Sequence, residues 1–430
     1  MKFLIKPKPP KNFWISRLNL GYFVRSFTIL TGGTSTILLA HQIISTYGNN
    51  IYALFIVMTS LPSLMPFLDF GLGSSIFNFY TDRRIDRVSS AEEVDLVSVV
   101  FCLILGVGIF LFSALFFAIV VAGINLLGIS YWDGNLDLFL LLILGATIVA
   151  APFSIGSKKL HAQSQSHKVW LAEGSIPILT YFLILICMQI AGKFEPLMLV
   201  VPSMIHLISA VCIFYLSGLH RIIRIPKFAH LKTLGADTIK LGFWSLVLTT
   251  SVSLIWHIPK YLYSFSGNFN SVAEYGILAM VLIPAFSLLN VSSTLLAPFA
   301  RLSKRIELHE FLIDNLRKTF FRSILISSLV TIGICVLHFL DLPAPNFLNS
   351  LILILILMAT PFWIIPFTAF SNHNDLRWLS VRVVPVLIVG SLGLFLCRSL
   401  AFSQSIFLYF LSIFFFFSIL AWPHISRDRL

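Results

Sequence analysis

Residues 51–80 read IYALFIVMTSLPSLMPFLDFGLGSSIFNFY, and the stretch ends against the charged Thr81-Asp82-Arg83-Arg84. A membrane-spanning helix needs about 20 consecutive, mostly apolar residues, and this run exceeds that. Its apolar residues are continuous and do not alternate, so a strand of a closed barrel is excluded. Pro62, Pro66 and Asp69 interrupt its apolar character. The run therefore predicts a long transmembrane helix with a bend and one buried acid.

The rest of the chain has the same texture. Of 430 residues, 57% are hydrophobic and 11% are charged, with a mean hydropathy of +0.92. Soluble domains carry about 25% charged residues, so a soluble fold is excluded, as is disorder. Twelve apolar runs predict an all-α polytopic membrane protein with spans at 20–44, 51–80, 96–123, 137–156, 172–191, 196–217, 242–263, 275–299, 320–340, 347–370, 383–401 and 404–423. Residues 13–20, with Trp14, read as an interfacial stretch after a lysine-rich lead-in that lacks the plan of a cleavable signal peptide. The five cysteines lie in apolar runs without CxxC or Cys/His spacing, so neither a metal nor a disulfide framework is expected.

Thirty Lys and Arg against 18 Asp and Glu give a net charge of +12. In a soluble protein such an excess points to nucleic acid; in a membrane protein it records orientation. Sorted by loop, 26 of the 30 fall in 1–19, 81–95, 157–171, 218–241, 300–322, 371–382 and the C-terminus. The positive-inside rule then places both termini in the cytoplasm, and no nucleic-acid partner is expected.

The longest basic connector, 218–241, divides the chain into two six-helix bundles, 20–217 and 242–423, between an N-terminal segment 1–19 and a tail 424–430. An even helix number gives both halves one orientation. A faint repeat agrees: Tyr52 aligns with Tyr275, and Pro62 falls within one residue of the match to Pro284.

Polar side chains in hydrocarbon need partners or a wet cavity. In the first helix Arg25, Thr28, Gly32, Ser35 and Gln42 recur at helical spacing, as do Ser245, Thr249, Ser253, His257 and Lys260 in the seventh; Ser287, Asn290 and Thr294 follow in the eighth. The opening helix of each half thus carries a polar stripe with a cation on it. A stripe of Ser, Thr and Gly by itself signals close helix packing. Arg25 and Lys260 shift the reading toward a lined pathway, with His257, Ser35 and Asn290 as further binding groups. Arg25 lies about 7 Å from the cytoplasmic end of its helix, within snorkelling reach. Asp69 is the one deeply intramembrane acid; it is expected to pair with Arg25, either as a helix tie or as a gate and ion-coupling site. Asp69-Phe70-Gly71 is not a kinase motif, because no catalytic or phosphate loop accompanies it.

Leu68-Asp69-Phe70-Gly71-Leu72-Gly73, followed by Asn78 and Arg83-Arg84, resembles the second-helix signature of bacterial polysaccharide flippases. These are the Wzx-type O-antigen and capsule translocases of the multidrug/oligosaccharidyl-lipid/polysaccharide exporter (MOP) superfamily. The resemblance implies a V-shaped bundle around a central cavity lined by helices one, two, seven and eight. It also implies an undecaprenyl-diphosphate-linked oligosaccharide as substrate, moved from the inner to the outer leaflet without a cofactor. A polysaccharide polymerase and a chain-length regulator are then candidate partners. A cationic cavity would fall on Arg25, Lys260 and His257, with Ser35 and Asn290 toward sugar hydroxyls and Asp69 as coupling acid.

Two other classes compete. A multidrug exporter of the same superfamily would favour acids in the cavity, to hold organic cations. A polymerase, ligase or acyltransferase would need a reactive outer loop, yet the longest outer loop, 124–136, has no His, Lys or Arg.

Overall fold

The computed structural model describes residues 11–64, 68–69, 71–82, 90–117, 120, 136–192, 195–226, 228–265, 267–302, 305–342, 347–361, 376–396, 409–410 and 412–413. Every regular element among them is helical. Helix α1 (Lys11–Tyr47) fuses the expected interfacial stretch and first span into one helix. It carries Gly32-Gly33 and a run of Ser and Thr without breaking. The hydroxyls satisfy themselves on their own helix: Thr31 donates to the Phe27 carbonyl (2.8 Å), Thr34 to Leu30 (2.9 Å), Ser35 to Thr31 (3.0 Å) and Thr36 to Gly32 (2.8 Å).

The stretch 51–80 is not one helix. Helix α2 (Asn49–Thr59) stops before Pro62, a tight 3-10 turn spans Leu61–Leu64, and α3 (Leu72–Asp82) resumes the course. Proline has no N–H and its ring meets the carbonyl four residues back, so the α2 ladder cannot continue through Pro62. At the restart, the Asp69 carboxylate accepts the Gly71 N–H (2.7 Å) and the Asp69 carbonyl accepts the Leu72 N–H (2.8 Å). Gly71 sits at φ +69°, where a side chain is strained.

The chain continues through α4 (Ser90–Phe116), α5 (Leu136–Ala150), a 3-10 turn at Pro152, α6 (Ile155–Ala162), α7 (Ser166–Ala191) and α8 (Val201–Leu216). Then come α9 (Phe228–Phe265), α10 (Phe269–Leu302), α11 (Arg305–Phe339), α12 (Phe347–Ala359) and α13 (Leu376–Leu396). Much of the basic connector expected at 218–241 is therefore the first turns of α9. Most of the expected twelfth span, 404–423, and the tail 424–430 lie outside the described residues.

Among the described residues, seven helical stretches are long and apolar enough to cross a membrane: Leu20–Tyr47, Ala91–Phe116, Asp137–Ala162, Ser166–Ala191, Pro196–Leu216, Phe269–Val291 and Leu316–Phe339. Large apolar side chains point outward along them, with Phe110 72%, Ile190 82% and Phe339 87% exposed. Water would not tolerate so much outward apolar surface, whereas lipid requires it. The chain is a multi-pass membrane protein.

Helix α1 packs along α7, and α9 packs along α13. Helices α1 and α2 both meet α10, while α3 and α4 meet α9. One large apolar cluster gathers Ile43, Tyr52, Met58, Tyr275, Leu282 and Tyr409. A smaller one, with Leu72, Ile76, Ile104 and Phe214, ties α3, α4 and α8 together.

Candidate functional site

Five helices leave a cavity of about 370 Å³ between them. From α1 come Arg25, Thr28, Gly32 and Thr36; from α2 and the turn after it, Ile56, Thr59 and Ser60. Helix α7 supplies Glu173, Gly174 and Pro177, α9 supplies His257 and Lys260, and α10 supplies Tyr275, Met280, Pro284 and Ser287.

Glycines set how closely these walls approach. A Cβ on Gly174 would clash with the Thr28 Cβ, and one on Gly32 would stand 2.7 Å from the Pro177 Cγ. Helix α1 is thus seated directly on α7, the small-residue contact that hydrocarbon favours. On the other side, a Cβ on Gly276 of α10 would stand 2.9 Å from Ile56 of α2.

Pro259 lies inside α9, between His257 and Lys260. It removes the N–H that would bond the Ile255 carbonyl. The Tyr409 hydroxyl donates to that carbonyl instead (3.1 Å), and the Tyr275 hydroxyl donates to the neighbouring Trp256 carbonyl (2.8 Å). Next to this bend, the Ser60 hydroxyl donates to the Val57 carbonyl (2.7 Å), so the Tyr261 hydroxyl donates to Ser60 Oγ (3.0 Å). That bond ties α9 to the break in the second span.

The charges fall at two poles. Arg25 Nη1 stands 3.8 Å from Glu173 Oε2, and the Arg25 guanidinium lies 5.6 Å from the centre of the Trp170 ring. Lys260 and His257 are buried, at 6% and 7% exposure, on α9. Among the described residues no carboxylate pairs with Lys260. Nor do they hold a cluster of His, Cys, Asp and Glu able to bind a metal ion.

Arg25, Lys260 and His257, expected from the sequence to share a pathway, all line this cavity. Ser35 does not, and its hydroxyl is spent on the Thr31 carbonyl. Asn290 is exposed and stands off the cavity, with Ser287 on the wall in its place. The expected Arg25–Asp69 pair does not form. Asp69 is buried at the start of α3, where its carboxylate and the Lys158 side chain both crowd Gly73, and Arg25 takes Glu173. Glu173 was the residue missed. As the only acid in Ser166–Ala191, inside an apolar run, it gave the same signal as Arg25.

No family model matches the chain, and no curated protein matches its sequence. Solved structures match its fold. An inward-facing multidrug resistance MATE family transporter of the MOP superfamily superposes with a TM-score of 0.60 at 15% identity, over 94% of this chain and 97% of that one. An outward-facing MATE family transporter of the same superfamily gives 0.60 at 16% identity, over 95% and 94%. A MOP superfamily transporter from Pyrococcus furiosus, described by the reverse polarity of its binding pocket, gives 0.57 at 13% identity, over 98% of both chains. At these identities the likeness is one of fold: the chain has the fold of MOP superfamily transporters.

Proposed function

We propose that this chain is an alternating-access exporter whose central cavity takes amphiphilic, negatively charged molecules of drug size. The observation that carries the reading is Lys260, a buried cation in the cavity wall with no carboxylate partner among the described residues. A bare ammonium in a low-dielectric wall is costly unless an anion arrives to neutralise it. The size of the cavity supports a small guest, since pockets for drug-sized ligands run to about 300–1,000 Å³. The multidrug transporters that share the fold support an exporter over an enzyme.

Transport then follows from the two-bundle plan, 20–217 and 242–423, with twelve spans and both termini cytoplasmic. The repeated pairing of first helix on fifth and seventh on eleventh, α1 on α7 and α9 on α13, supports that division. The contacts of α1 and α2 with α10, and of α3 and α4 with α9, join the bundles and are the ones that open and close. A membrane potential negative inside favours outward movement of an anion by about 2.3 kcal/mol per charge per 100 mV. No ATP-binding motif is needed for this.

A second reading is the lipid-linked oligosaccharide flippase, with an inner-membrane location and a polysaccharide-assembly partner. The stretch 68–84 and the cations Arg25 and Lys260 favour it; a cavity of about 370 Å³ would hold only part of such a head group. Purified protein in proteoliposomes separates the readings. Anionic exporters accumulate radiolabelled estrone sulfate against a potential-clamped control, cation exporters accumulate ethidium, and a flippase moves undecaprenyl-diphosphate-linked sugar between leaflets. Uptake of ethidium without estrone sulfate would overturn the anionic reading.

A further inference from the structure

Glu173 is the one carboxylate among the described residues that line the cavity. Its ion pair with Arg25 is long, at 3.8 Å, and open: 41% of the Glu173 side chain and 23% of the Arg25 side chain remain exposed. A committed Arg–carboxylate pair closes to about 2.7–2.9 Å and often bonds twice. Partly exposed single pairs hold together by only about 0.2–1 kcal/mol. Beneath the pair the helices are in direct contact, with Gly174 on Thr28 and Gly32 on Pro177 without room for a methyl group, so the two backbones already stand as close as they can. Parting Arg25 from Glu173 is therefore a side-chain rotation into the cavity. Lys260 stands on another wall, on α9. The cavity thus holds one neutralised cation and one bare cation, borne by the two expected bundles.

We infer that Glu173 is a built-in competitor for the substrate's negative group. It occupies Arg25 while the cavity is empty and yields Arg25 when an anion docked at Lys260 reaches across. Its charge sets the affinity of the cavity, and its return to Arg25 helps release the guest. The inference rests on the anionic reading of the cavity and assigns Glu173 as its specificity-determining residue. A merely structural tie predicts that losing Glu173 weakens everything; a competitor predicts a gain in affinity.

The test is the concentration dependence of radiolabelled estrone sulfate uptake by the full chain in proteoliposomes. Glu173→Gln lowers the half-saturating concentration roughly two- to fivefold, the value of one partly exposed pair. In an Arg25→Gln background the same substitution changes nothing, because the cation for which Glu173 competes is gone while Lys260 still takes the anion. Glu173→Asp, with a shorter reach to Arg25, falls between wild type and Glu173→Gln, and it carries the test if Arg25→Gln does not fold. If wild type takes up the anion but Glu173→Gln leaves half-saturation unchanged or raises it, the competitor role is wrong and the anionic cavity stands. If wild type takes up no anion beyond protein-free liposomes, both fall.

Discussion

Cost in lipid separates Arg25 and Lys260, which line the cavity, from Ser35 and Asn290, which stand off it. Arg25 and Lys260 are cations inside apolar runs, and both reach the cavity. Ser35 lay on the same apparent stripe, yet each hydroxyl of α1 can bond its own helix and so carries no demand for a cavity. The stripe itself was read too loosely. At about 100° per residue, Ser35 sits about 80° from Arg25 and Gln42 about 100°, while Thr36 sits within about 20°. Thr36 lines the cavity and Gln42 is exposed. Asp69 was legible as a buried acid but not as the residue that caps α3, because its partner is a backbone N–H that the sequence does not display.

The glycines at the α1–α7 contact make a prediction at this scale. Gly174→Ala places a methyl group against the Thr28 Cβ and forces the helices apart. Overpacking of this kind costs about 1–3 kcal/mol, so the melting temperature in detergent falls and transport falls with it. Gly106→Ala, where nothing lies within 4 Å of the new Cβ, leaves both unchanged. Equal melting temperatures for the two variants would show that the contact does not seat α1.

At the scale of elements, the prolines decide the helix boundaries in ways the chain order hides. Pro62 ends α2, whereas Pro177 and Pro259 lie inside helices that continue. The difference at Pro259 is a hydroxyl from Tyr409, far away in the sequence, that takes over the Ile255 carbonyl. Only tertiary structure supplies such a donor, which is why 51–80 reads as one helix from sequence although its described residues fall in separate elements. Tyr409→Phe removes the donor and leaves that carbonyl unpaired in an apolar surrounding. The loss is about 0.5–1.5 kcal/mol, read as a lower melting temperature. Pro259→Ala restores the missing N–H and makes Tyr409→Phe nearly silent, a coupling that a double-mutant cycle measures directly. Additive effects would mean that Tyr409 stabilises the bundle by packing alone. The starts of α9 and α11 were set too late because their opening turns are charged, and a hydropathy reading trims polar turns off a helix that projects beyond the lipid.

For the whole molecule, the sequence read alone was strongest where physics is coarsest. Continuous apolar runs, few charges and sorted cations pointed to a multi-pass helical bundle, and its outward face is apolar as lipid demands. What the sequence could not give is which walls meet, because α1 finds α10 and α2 finds α10 across more than 200 residues. Under the proposed exporter function, those contacts are the ones that alternating access must break. Cysteines placed at Ile56 and Gly276 in a background lacking the five native cysteines bring two thiols to this contact, where a Gly276 Cβ would stand 2.9 Å from the Ile56 side chain. Oxidative cross-linking there stops transport, and reduction restores it; undiminished transport by the cross-linked protein would show that α2 and α10 stay together throughout the cycle.

The overall charge of +12 does not itself identify a substrate, since nearly all of it is sorted to one set of loops. The claim about substrate rests on one buried ammonium. It is tested most directly by the initial rate of radiolabelled estrone sulfate uptake into proteoliposomes bearing wild type, Lys260→Gln or Lys260→Arg. The account predicts that Lys260→Gln falls to the rate of protein-free liposomes while Lys260→Arg, which keeps the charge, retains a clear part of the wild-type rate. Wild-type uptake by a well-folded Lys260→Gln protein would contradict it.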